Sequence, residues 1–140
     1  MKKYIYILFT FFILQSYANA KAWGVGAVFG APTGISAHYF FKEDRVLHST
    51  LAYNLNGRSA LQIASHYEWR KTYNNLNWFY GAGGKARFDD FTAGPSGSVG
   101  IFHDFKEAPV ELFLKAALTL NIIRETSGDA DLMFGIHYQF

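Results

Sequence analysis

Alternation constrains this chain more than any other feature. From residue 22 to residue 140, apolar side chains alternate with polar or small ones at a period of two, and no stretch shows the period of an amphipathic helix. Neighbouring side chains on a strand point to opposite faces, so each such segment has two distinct sides. At 132, 134, 136, 138 and 140 stand Leu132, Phe134, Ile136, Tyr138 and Phe140, with Asp131, Met133, Gly135, His137 and Gln139 between them. Val110, Leu112, Leu114, Ala116, Leu118, Leu120 and Ile122 alternate in the same way with Glu111, Phe113, Lys115, Ala117, Thr119 and Asn121. Aromatic residues make up 19% of the chain and favour strands, while the 13 glycines and 3 prolines mark turns and close packing.

The pattern predicts about eight strands, the size of the smallest membrane barrels: 22–30, 33–41, 46–55, 60–70, 78–88, 95–105, 109–123 and 130–140. Short polar or Gly/Pro-bearing clusters separate most of them, such as Ala31-Pro32-Thr33, Lys42-Glu43-Asp44-Arg45 and Asn56-Gly57-Arg58. These suit hairpins, whereas a parallel sheet needs long crossovers for which no chain is available. The expected fold is therefore all-β: a closed, antiparallel, up-and-down transmembrane β-barrel over residues 21–140.

The sides of the strands decide between two kinds of barrel. A soluble barrel of the lipocalin kind turns its apolar face inward. A membrane barrel turns it to lipid, gathers aromatics at the interfaces and leaves no sheet edge unpaired. Strand length, near the ten or so residues that cross a bilayer at a tilt, favours lipid. So do the glycines on the minority side: Gly24, Gly26, Gly30, Gly81, Gly83, Gly100 and Gly135 would make room in a narrow interior for larger side chains from facing strands.

The first 20 residues read as a signal peptide. Met1-Lys2-Lys3 is a basic start, residues 4–14 form an apolar run, and Ala18-Asn19-Ala20 has the small-x-small pattern of a cleavage site. Removal after Ala20 would send the chain to the outer membrane of a Gram-negative cell. There is no cysteine, which excludes disulfides, thiolate chemistry and lipoprotein acylation. A net charge of +2 without a charge run does not imply a nucleic-acid partner.

Phe134, Ile136, Tyr138 and Phe140 at alternate positions resemble the C-terminal strand that the bacterial barrel-assembly machinery recognises. The segment from Gly24 to Ser36, the run Tyr80-Gly81-Ala82-Gly83-Gly84-Lys85-Ala86-Arg87-Phe88 and the run Ala108-Pro109-Val110-Glu111-Leu112-Phe113-Leu114 together resemble the DUF3996 family of small outer-membrane barrels. That resemblance implies a fold and a location, with no established chemistry. Ala31 departs from the acidic residue associated with that turn, so no role is carried over for a loop carboxylate there.

Alternation assigns a polar lumen network to Glu68, Arg70, Lys85, Arg87, Asp104, Glu111, Lys115 and Asp131, four positive charges against four negative. Charges withdrawn from water must be paired, which suggests a salt-bridged plug rather than a pore. Simple hairpin register puts Glu68, Asp104 and Glu111 near the periplasmic end, where they would repel one another unless Arg70 or Lys115 reaches them. Lys85 and Arg87 fall toward the outside. His48 and His66 join the network opposite each other, with His38 one strand over. No third metal ligand is fixed by spacing, so neither metal nor cofactor is expected. His103-Asp104-Phe105 is the nearest thing to a hydrolytic constellation, but alternation puts His103 and Asp104 on opposite faces, and no enzyme is expected.

The resulting expectation is a monomeric structural or envelope barrel whose partners are outer-membrane lipid and, during biogenesis, the assembly machinery. The alternatives are a narrow ion or small-solute channel, a lipid-modifying outer-membrane hydrolase, and a surface adhesin. The predicted outer turns are short, which leaves an adhesin little surface.

Overall fold

The computed structural model describes residues 22–54, 60–88, 91–123 and 126–140. The signal peptide expected at 1–20 and the turn expected around Gly57 lie outside the described residues.

Eight strands follow one another: β1 (Trp23–Ala31), β2 (Thr33–Lys42), β3 (Arg45–Asn54), β4 (Ala60–Tyr73), β5 (Leu76–Arg87), β6 (Thr92–Asp104), β7 (Val110–Asn121) and β8 (Ser127–Gln139). Each pairs antiparallel with its neighbour in sequence, and β1 pairs with β8 from Gly24↔Gln139 to Ala31↔Leu132. The barrel is thus closed, and no strand is left with an open edge. Trp23 and Phe140 finish the seam by exchanging backbone hydrogen bonds at 3.1 and 2.8 Å.

The strands run further than alternation alone marks them. β4 continues to Tyr73 and β5 starts at Leu76, joined only by Asn74 and Asn75, both in the left-handed region with φ of 46° and 63°. Asparagine tolerates that conformation, and two such residues make the turn that matches the twist of a hairpin. β6 starts at Thr92, so Pro95 lies inside a strand and Thr92–Gly94 are not loop. Ala93 accepts a hydrogen bond from Ile122 at 3.1 Å, so it turns its backbone toward β7. Two residues on, Pro95 turns its donorless nitrogen the same way, and the β6–β7 ladder begins only at Ser96↔Thr119.

The polar side faces in. Val25, Ile35, Leu51, Ile63, Val99, Ile101, Leu114, Leu118, Leu132, Phe134 and Ile136 are exposed on the outer wall, Leu118 to 70%. Buried inside are Ser36, His38, His48, Thr50, Gln62, His66, Glu68, Arg70, Lys85, Ser96, Glu111 and Lys115. Among the interior apolar residues, Val28, Phe113 and Met133 form a small cluster flanked by Phe102. Outer-wall aromatics gather toward the end that carries both termini, with Trp23 against Tyr39 at 4.7 Å, Tyr67 against Trp69 at 4.9 Å and Trp69 stacked on Tyr80 at 5.5 Å. Ser49 and Ser65, mid-wall hydroxyls, bond each other at 2.8 Å.

Candidate functional site

Among the described residues, chemistry-bearing side chains converge in the lumen, and the register explains how. Across β2, β3 and β4, His38↔His48 and His48↔His66 are direct partners, so three histidines stand in a row on the inner wall. Glu68 and Arg70 follow His66 on the inner face of β4, toward the end with the termini. From the opposite wall, β7 presents Glu111 and Lys115, and β8 presents His137 and Gln139.

Two ion pairs cross the barrel at this level. Arg70 grips Glu111 with both terminal nitrogens, Nη1 donating to Oε2 at 2.6 Å and Nη2 to Oε1 at 2.9 Å. Lys115 Nζ donates to Glu68 Oε1 at 2.6 Å and lies 3.3 Å from His48 Nδ1, while His48 Nδ1 is 3.1 Å from the same carboxylate oxygen. Glu68 and Glu111 are fully buried. Both cations therefore reach the carboxylates that would otherwise repel, because the shear of the strands brings residues of different hairpins to one height. Aromatic faces complete the packing: the Arg70 guanidinium lies 4.2 Å from the Phe102 ring centre and 5.0 Å from that of Phe40.

A second charged layer lies toward the other end. Register sets Lys85 beside Ala64, four residues along β4 from Glu68, a separation of about 13 Å at the rise of a strand. There Lys85 Nζ donates to Asp131 Oδ2 at 2.8 Å and lies 3.6 Å from Asp129, and Arg87 Nη1 donates to Asp129 Oδ2 at 3.4 Å. Asn121 adds a bond to Asp129 at 3.1 Å. Between the layers His66 Nε2 is 2.8 Å from Ser96 Oγ, which also accepts from Thr119 at 2.9 Å.

Of the residues assigned to the lumen from sequence, Asp104 stands apart. It is exposed at the rim and accepts from Gln139 at 3.2 Å. Asp129 and His137 were not assigned, yet both take part. Asp129 lies on the chain expected to be a turn, and only the longer β8 carries it into the wall. His137 was legible as an inward position, but nothing in its spacing showed that β8 closes on β1 and brings it to β2. His137 Nδ1 meets His38 Nδ1 at 2.8 Å, its Nε2 bonds Ser36 Oγ, and its ring stands 5.1 Å from that of His48.

On the outer wall His103 is exposed and packs edge-on against Phe105 at 4.9 Å. Its neighbour Asp104 points to the other face, toward Gln139. The two do not meet, so this pair cannot work as a base and its orienting acid.

No family profile, curated protein or solved structure matches this chain. What the geometry does support is a closed eight-stranded antiparallel barrel of the kind found among small bacterial outer-membrane proteins, with a salt-bridged and hydrogen-bonded interior.

Proposed function

We propose that the chain is an integral outer-membrane barrel with a structural or envelope role and a filled lumen, and that it is not an enzyme. The observation that carries this reading is the inversion of the wall: large apolar side chains stand outside and buried ion pairs inside. In water such a wall would expose far more contiguous apolar surface than a soluble monomer carries. In lipid it is what a barrel requires, and the Trp/Tyr cluster at one end suits the headgroup boundary.

The resemblance read from the sequence to the DUF3996 family, which no family profile matches, would imply the same location. The outward row Phe134, Ile136 and Tyr138 on β8, followed by Phe140 just past its end, suits a strand read by the barrel-assembly machinery. With the lumen occupied by crossed side chains, outer-membrane lipid is the partner of the folded state, and the barrel works as a monomer.

Membrane fractionation combined with heat-modifiable gel migration tests the proposal. The protein should fractionate with the outer membrane, need detergent for extraction, and migrate differently before and after boiling. A chain that stays monomeric and folded in buffer without detergent would overturn it.

A further inference from the structure

The lumen holds a ligand set that neither the fold nor the ion pairs use fully. His38 on β2, His137 on β8 and Glu111 on β7 are all buried, and each brings one ligand atom to within 4.8 Å of the others. We propose that this trio is a binding site for a first-row divalent transition metal of the Cu²⁺ or Zn²⁺ type, held in the lumen beside the seam where β8 closes on β1. The inference rests on the closed barrel and not on where the barrel resides.

The geometry is near what such an ion asks for. Metal–nitrogen bonds of about 2.0–2.1 Å in a tetrahedral site put ligand atoms about 3.3 Å apart. The two imidazole Nδ1 atoms are 2.8 Å apart, and Glu111 Oε1 is 3.8 Å from His38 Nδ1. Rotations of the rings that open the first gap and close the second by about half an ångström, and that also draw His137 and Glu111 together from a separation within 4.8 Å, reach that spacing. The facing nitrogens are at hydrogen-bond distance, one donating to the other, and a metal ion would displace that proton.

Supporting groups are in place for two of the three ligands, while the buried Nε2 of His38 has no hydrogen-bond partner among the described residues. A metal-bound histidine normally donates its other nitrogen to a fixed partner, and a ligating carboxylate is itself hydrogen-bonded. His137 has Ser36 at its Nε2. Glu111 has Arg70 Nη1 and Gln139 donating to Oε2 at 2.6 and 3.0 Å, while Oε1 accepts from Arg70 Nη2 at 2.9 Å and lies on the side of His38, 3.8 Å from its Nδ1. His48 stands against His137, and its buried Nε2 has no hydrogen-bond partner among the described residues. A buried polar atom left so is costly; His48 does not join the three ligand atoms that lie within 4.8 Å of one another, so it stands beside them as a partner for a metal-bound water and not as a fourth ligand.

Charge selects the kind of ion. Arg70 already balances Glu111 and Lys115 balances Glu68, so no spare negative charge attracts a cation. The neutral imidazoles must carry the affinity, which favours copper and zinc over calcium and magnesium. At the end with the termini, a depression of about 490 Å³ is lined by Asp104 and Gln139, and Gln139 bonds Glu111 behind it.

The test uses the folded barrel in detergent, stripped with chelator and loaded with Cu²⁺. His103→Ala serves as the background, since it removes the exposed histidine. Electron paramagnetic resonance should show one retained Cu²⁺ per chain with at least two imidazole nitrogens. That signal should vanish in His38→Asn and His137→Asn, and affinity should fall at least tenfold in Glu111→Gln. Heat-modifiable migration checks that each variant folds; where a histidine variant does not, the near-isosteric Glu111→Gln decides. No retained Cu²⁺ in the background protein, or a signal unchanged in a folded His38→Asn or Glu111→Gln, would overturn the site.

Discussion

Arg70 on β4 and Glu111 on β7 sit three strands apart around the wall, yet they form a two-pronged ion pair at 2.6 and 2.9 Å through the centre of the barrel. Both residues are buried. The pair therefore acts as a cross-brace, and Gln139 ties it to the strand that closes the barrel.

Removing one half of that brace strands the other charge in the lumen, which costs about 3–5 kcal/mol, whereas removing both halves is far milder. Glu111→Leu and Arg70→Met should each lower the midpoint of urea unfolding in detergent. The double variant should recover more than half of the loss. Strictly additive losses would mean that the two side chains do not meet.

Glycine placement gives a second, independent check. A Cβ built at Gly135 would fall within the ring of Phe113, which fills the space that the glycine leaves. Gly135→Ala should destabilise the barrel by about 1–3 kcal/mol through overpacking. Trimming the ring in Gly135→Ala/Phe113→Leu should restore part of it. Failure of the second change to help would show that Phe113 lies elsewhere.

The strands and their faces were legible in the sequence because both depend on a local period. Alternation alone separates Lys115 from Leu114 and Glu68 from Tyr67, and the balance of charge already implied pairing. Which charge meets which was not legible, because it depends on shear, a property of the closed ring. Lys115 finds Glu68 and Arg70 finds Glu111 across hairpins that share no turn. His137 shows the same limit: its meeting with His38 follows from the β1–β8 seam, which joins residues 99 positions apart and which no local pattern encodes. Turn chemistry explains the rest. Asn74-Asn75 shortens an expected seven-residue gap to two, and the start of β6 at Thr92 puts Pro95 inside a strand.

The outer wall supplies a prediction that separates lipid from water. Leu118 points outward from β7 and is 70% exposed in the isolated barrel. If hydrocarbon covers it, Leu118→Arg should cost about 2–4 kcal/mol near the bilayer midplane and reduce the folded, heat-modifiable fraction in lipid vesicles. On a water-facing wall the same change would stay within about 0.5 kcal/mol. Folding yields in vesicles, set beside those of Lys71→Arg at the exposed end of β4, distinguish the two.

The filled lumen predicts electrical silence. Phe79, Phe113, His48 and the two crossed ion pairs occupy the interior at the level of the brace, and Lys85 and Arg87 close on Asp131 and Asp129 above it. An ion crossing this interior must break charge-assisted bonds in succession and find no continuous water to replace its shell. The native barrel reconstituted in a planar bilayer should therefore show no discrete conductance steps. Arg70→Ser/Glu111→Ser, combined with Phe113→Ala, removes the brace and the ring beside it and should give small steps. Steps from the native protein that change size in Lys115→Ala would instead make the lumen a narrow channel, with Lys115 and Glu68 as its selectivity gate.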